Sequence, residues 1–354
     1  MACTARLAIP DTVRATAPMA GPSLSEVPRV STLPELVPNG LAIWEGPAGS
    51  QPLIERIETR GPGADTVFDI FSPRVPGDPG PSWGIGPATV GELVTLMLPN
   101  GPGTPLPAEG HDVFLSSTVR GPSELTILQR REVGTSFDID AYLVGGGGWR
   151  IRRPGEVPAP IEAAFGALRE MLGGFGLSVG EIRAHEVVGG LRRRFEVLEG
   201  EEGLLGVPPD LPRLYRLSAG AVRPSVSVFF VRMIDGALGI ASGIPGPHGM
   251  PGTGASGVAI SVDLIPESEL PLVILHEMGH FMGLFHTTEA DGSISEPLTD
   301  TAECGPENDS DLDGFLIPSE CAAFGADNVM FWTGEGGMMS PQQGELMGRA
   351  YFVR

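Results

Sequence analysis

The stretch 268–285 reads SELPLVILHEMGHFMGLF, an apolar run at helical spacing broken by His276, Glu277 and His280. A helix that buries such groups must give them partners, because an unpaired polar side chain is costly to bury. Ser268 suits the N-cap, and Pro271 is tolerated in the first turn. His276 and His280 stand four residues apart, so both imidazoles leave one helix face. Two neutral imidazoles so placed can bind one Zn²⁺ at ~2.0–2.1 Å each. Gly283 can end the helix in the left-handed conformation and turn the chain. The turn brings His286 back as a third ligand. A fourth position left to water is the arrangement of a catalytic zinc.

Around this segment the chain of 354 residues divides in three. Residues 1–38 hold Pro10, Pro18, Pro22, Pro28, Pro34 and Pro38 and read as a Pro-rich leader or tether. Residues 39–133 read as an all-β, sandwich-like domain. The short runs Leu41–Trp44, Leu53–Glu58, Thr66–Phe71, Glu92–Leu98, Asp112–Val119 and Glu124–Arg130 lie between Gly/Pro clusters. Its lone His111 reads as a surface or packing residue. From 134 to 354 the spacing predicts an α+β catalytic domain with a mixed sheet. Phe137–Val144, Ile182–Val188 and Ser225–Ile234 are its strands, Ile161–Leu172 is a helix, and Gly257–Val262 is an edge strand. The loop 243–257 precedes that strand, and its His248 reads as a surface residue.

HEMGHFMGLFH, residues 276–286, is the full H-E-x-x-H-x-x-G-x-x-H pattern and resembles the metzincin metallopeptidases. The resemblance implies a Met-turn beneath the metal, and Met330 in Asp327–Trp332 (DNVMFW) is the candidate. Cys304, Cys321, the Asn328-Val329-Met330 turn and Ser340-Pro341-Gln342-Gln343 look most like the pappalysin family. That family implies one catalytic Zn²⁺ on His276, His280 and His286, and a substrate strand added to the edge before the helix. It also points to calcium near Asp300-Thr301. One departure is clear. Trp332 stands where some metzincins place a tyrosine two residues after the methionine.

Residues 233–348 carry 18 acidic side chains and no Lys or Arg. Most of this charge reads as solvated surface, but 309–320 fits D-x-D-x-D-G-x₅-E. Asp309, Asp311 and Asp313, the Phe315 carbonyl and Glu320 would then hold a structural Ca²⁺ in an EF-hand-like loop without paired helices. Cys304 and Cys321 bracket the loop. They are either a disulfide closing it or two free buried thiols.

A net charge of −21 argues against nucleic acid as a partner, and no apolar run approaches the length of a transmembrane span. No signal peptide is visible in the first 20 residues. Ca²⁺ and a disulfide point to an extracellular or secreted protein, or to a bacterial cell-surface lipoprotein whose leader is absent from this chain. Cys3, followed by the tether, fits a lipid anchor. The other reading is a thiol that blocks the zinc, for which no surrounding motif speaks. The expected activity is that of a secreted zinc endopeptidase acting on a protein or peptide, with Glu277 moving protons for a zinc-activated water. Two alternatives stay open: a calcium-binding adhesion or structural protein with a non-catalytic metzincin domain, and a metallopeptidase for a cell-wall peptide.

Overall fold

The computed structural model describes the strands between residues 13 and 130 by their backbone. It describes residues 134–354 apart from 152, 154, 155, 201–207, 222–224, 297 and 351. Cys3 lies outside the described residues, as does the side chain of His111.

The first nine strands pair only antiparallel. They are β1 Val13–Pro18, β2 Ser25–Glu26, β3 Asn39–Glu45, β4 Pro52–Thr59, β5 Thr66–Asp69, β6 Ala88–Val90, β7 Leu93–Leu98, β8 His111–Ser117 and β9 Pro122–Arg130. One sheet runs β1-β9-β3-β7-β6 and the other β2-β8-β4-β5. The predicted runs between 39 and 133 fall on β3, β4, β5, β7, β8 and β9. The stretch 1–38, read as a tether, supplies β1 and β2. Pro18 ends β1, where a missing N–H costs the ladder least.

From residue 134 the chain builds a second architecture. Its strands are β10 Ser136–Leu143, β11 Ser178–Glu186, β12 Val197–Leu198, β13 Ser225–Val231, β14 Met233–Ile234, β15 Gly239–Ala241 and β16 Val258–Ser261. Its helices are α1 Ala159–Gly173, α2 Gly189–Phe195, α3 Leu211–Tyr215, α4 Leu270–Phe281 and α5 Pro341–Gly348. The main sheet runs β11-β10-β13-β16-β15, parallel except for β15. This is a mixed α/β sheet of the predicted kind.

The hydrophobic pattern explains the layering. β13, SVSVFFV, is buried along its whole length, as a central parallel strand must be. Its Val226, Val228 and Phe230 face a core with Ile161, Phe165, Leu168 and Leu172 of α1 and Ile274, Met278 and Phe281 of α4. The α1 residues recur at helical spacing, and each such side chain contributes about 1.5–3 kcal/mol on burial. Phe229 and Val231 turn to the opposite face, against α2 and α3 through Phe195, Leu211, Leu214 and Tyr215.

Two expectations about this region are corrected. The strand at Val258–Ser261 is not the edge, because β15 pairs outside it. Gly239–Ala241 is too short to show alternation, so its sequence gave no strand signal. His248 is not a surface residue. It is fully buried, its Nε2 lies 2.7 Å from the Phe281 carbonyl, and its ring packs between Phe281 and Phe352. That burial lowers His248 to about 4, so the ring is neutral and structural. Among the described residues no helix is long and apolar enough to cross a membrane.

Candidate metal centre

The helix α4 carries His276, Glu277 and His280, all buried. Its N-cap is Glu269 rather than Ser268, and no side chain caps it. Gly283, with φ 106°, ends the helix. The Gly283 N–H donates to the His280 carbonyl at 2.9 Å and the Leu284 N–H to the Gly279 carbonyl at 2.9 Å, a Schellman turn. The chain reverses there, and His286 returns to the other two imidazoles as its spacing predicts.

The three Nε2 atoms converge. His280 lies 3.1 Å from His276 and 3.1 Å from His286, and His286 lies 3.2 Å from His276. Each Nδ1 is committed elsewhere to an atom that can only accept. That of His276 donates to the Val329 carbonyl at 2.7 Å, and that of His280 to the Leu284 carbonyl at 2.8 Å. His286 Nδ1 donates to the Glu289 carboxylate at 3.0 Å. Neutral rings so tied present three lone pairs to one point, an arrangement that repels itself unless a cation sits among them. Burial, with the neighbouring His286, lowers His276 to about 4, and burial chiefly drives His280 well down too. Both are therefore unprotonated near neutral pH, as ligands must be.

The Glu277 side chain lies against Gly239 of β15. Burial pushes its carboxyl up to about 8, against the pull of a hydrogen bond from the Ala241 backbone. A dication beside it acts in the opposite sense and favours the carboxylate.

Met330, the residue expected in the Met-turn, packs against α4 at Gly279. A Cβ at Gly279 would come 2.6 Å from its Sδ, so the glycine between the histidines makes room for the sulfur. The turn is knotted from behind. Asn328 Oδ1 accepts from the Met330 N–H at 2.8 Å, and Asn328 Nδ2 donates to Gln343 Oε1 at 3.0 Å. Gln343 forms a reciprocal capping box with Ser340 at the start of α5. This gives the Asn-x-Met and Ser-x-x-Gln signatures a common physical cause. Trp332 is directed elsewhere, its indole Nε1–H donating to the Leu316 carbonyl at 2.6 Å.

Cys304 and Cys321 are disulfide-bonded, with Cα atoms 5.7 Å apart. They anchor a small core with Leu316, Ala326 and Phe331 beneath the acidic loop. In that loop carboxylate oxygens of Asp309, Asp311 and Asp313 lie within 4.8 Å of one another. Glu320 stands apart from them. Its Oε1 accepts from the Ser310 N–H at 2.7 Å and its Oε2 from the Ile317 N–H at 3.1 Å. The Phe315 N–H donates to Asp313 Oδ1 at 2.8 Å. Asp300, the other expected calcium residue, accepts the Gln342 N–H at 2.9 Å at the start of α5. Sequence reasoning missed Glu289, Val329 and β15. Only Glu289 left a signal, as an acid three residues after a ligand.

No family model matches the chain, and no curated protein does. Among solved structures, archaemetzincin from Methanopyrus kandleri aligns with 47% of this chain and 83% of its own. The identity is 14% and the TM-score 0.29, an overlap too loose to place residues one against another.

Proposed function

We propose that this chain is a zinc-dependent peptidase that hydrolyses peptide bonds with Glu277 as general base and acid. The observation that carries the reading is the convergence of three Nε2 lone pairs fixed by three Nδ1 acceptors. Ligands ~2.0–2.1 Å from a tetrahedral centre stand about 3.3 Å from one another, close to the separations seen. When bound, zinc lowers the pKa of a coordinated water and polarises a substrate carbonyl. The residues do the rest. Glu277 takes the proton of the attacking water on its carboxylate and delivers it to the departing amine nitrogen. Val329, Leu284 and Glu289 hold the imidazoles in the ligating tautomer. The antiparallel edge β15, beside Glu277, offers the outward groups of Gly239 and the Ala241 carbonyl to an extended peptide.

The finer reading is of a pappalysin-like, secreted enzyme. It is supported by the Asn328–Gln343 knot, and by the disulfide, a bond that persists outside the reducing cytosol. We also assign a structural Ca²⁺ to Asp309, Asp311 and Asp313. The test of the core proposal is hydrolysis of unfolded casein by the full chain, before and after chelation and after one equivalent of zinc. Activity that survives complete removal of the metal would end it. Cleavage of cell-wall peptides with casein left intact would move the substrate class.

A further inference from the structure

The short strand β15 meets Glu277 at two points. The Ser261 N–H donates to the Leu238 carbonyl at 2.8 Å, and the Ser242 N–H to the Gly257 carbonyl at 3.1 Å. Gly239 pairs with Ile260, Ile240 with Ala259 and Ala241 with Val258. In such a ladder residues 238, 240 and 242 bond to β16, so Gly239 and Ala241 turn their N–H and C=O groups outward. The outward N–H of Ala241 is the one that reaches the Glu277 carboxylate. Beside it, a Cβ at Gly239 would stand 2.4 Å from Glu277 Cγ, 2.7 Å from Oε1 and 2.8 Å from Cδ. Non-bonded carbons do not approach so closely in a packed interior.

The backbone does not require glycine here. Gly239 is not among the residues with positive φ, so any L-residue can adopt its conformation. What position 239 excludes is volume, and the volume it yields is filled by one side chain. Glu277 cannot give way easily, because α4 is packed into the core on either side of it through Ile274, Met278 and Phe281.

We propose that Gly239 is a positioning residue: its missing side chain is the slot in which Glu277 lies, and the Ala241 N–H fixes the direction of the carboxylate. This rests on the reading of Glu277 as the general base. A base displaced by about 1 Å loses roughly 10²-fold in rate without any loss of metal.

The test is a double-mutant cycle in the full chain with Gly239→Ala, Glu277→Ala and the pair, read by melting, zinc content, kcat and KM. Gly239→Ala is expected to keep one zinc and a similar KM while kcat falls about 10²-fold. In the Glu277→Ala background it should cost no further activity. It should also lower the melting temperature less there, because the slot is vacant. Ile240→Val, on the opposite face of β15, should leave kcat unchanged, and Ala241→Pro, which removes the outward N–H and no bond of the β16 ladder, should lower it. An equal fall in melting temperature in both backgrounds overturns the proposal, as does a wild-type kcat in Gly239→Ala. If neither Gly239→Ala nor the double variant folds, the glycine answers to the backbone and the proposal is wrong. A chain with no hydrolytic activity ends the general-base reading instead, and the melting cycle still reports whether residues 239 and 277 are coupled.

Discussion

His276 Nδ1 donates to the Val329 carbonyl across 2.7 Å, joining residues 53 apart in the chain. The bond ties the loop that carries Met330 to the candidate metal centre. It fixes which nitrogen of the first ligand is free, and it places the methionine one residue on from the carbonyl that does so.

The first prediction concerns that centre. Purified protein should hold one zinc, and His276→Ala, His280→Ala or His286→Ala should each weaken it by orders of magnitude. Glu289→Ala keeps all three ligands but frees the His286 ring. It should cost about 10–100-fold in affinity, measured by competition with a chelator. Full occupancy in His286→Ala would refute the three-histidine assignment.

Removing the base should separate binding from chemistry. Glu277→Ala is expected to keep zinc and fold while turnover falls about 10²–10⁴-fold. Wild-type turnover in that variant would show that another group moves the proton.

The Asn328 knot should be worth more than its size. Asn328→Ala strands the Met330 N–H, at about 1–3 kcal/mol for a group left unpaired, and takes one partner from the buried Gln343 amide, which keeps Ser340. Calorimetry should show a melting temperature lower by several degrees, and zinc affinity should fall with it. A variant that melts like the wild type would mean that α5 alone holds the turn.

A pH effect follows from Asp140 on the sheet face remote from α4. Burial raises this carboxyl, but hydrogen bonds from His185, Arg183 and Ser225 outweigh it and hold the group far below the usual range. A depressed carboxylate stabilises the fold above its unfolded pKa, near 3.9, and that contribution is lost as pH falls further. Asp140→Asn should therefore be destabilised at pH 7 by about 3 kcal/mol or less, since Arg183 is partly exposed. The gap to wild type should close below about pH 4. A gap that stays constant from pH 7 to 2.5 would mean that packing, not charge, is what Asp140 supplies.

For the acidic loop, Ca²⁺ with a Kd near 10⁻⁴ M should add about 1.4 kcal/mol at ten times that concentration. Melting should rise by a few degrees in millimolar Ca²⁺, and Asp309→Ala with Asp311→Ala should abolish the rise. Glu320→Ala should retain much of it, because Glu320 is bound to Ser310 and Ile317. An unchanged melting temperature would make 309–320 a solvated turn.

What could be read from the sequence follows range. The ligands were legible because their spacing acts within one helix and one turn. β10 is legible from its alternation, and β13 because burial on both faces leaves a long apolar run. Ser225–Ile234 reads as one strand yet breaks at Arg232, whose N–H turns to the Glu196 carbonyl at 2.8 Å, a contact no local pattern encodes. The short helices α2 and α3 hold too few residues to show a period. His248 was misplaced for the same reason, because its neighbours Phe281 and Phe352 come from distant segments. The Val329 carbonyl and the gap at Gly239 are properties of the folded neighbourhood alone.

The metal ligands and their orienting groups also differ in when they become available. All three imidazoles lie within 276–286, so a growing or refolding chain has a full ligand set once one turn closes. Val329 must be brought in across a far longer loop, and such closures come later. Metal that arrives early is therefore an assembly partner, holding the turn at Gly283 shut until Met330 docks. Refolding in the presence of zinc should be faster than refolding followed by its addition. Equal rates would mean that the loop closes first and the ion enters a finished site.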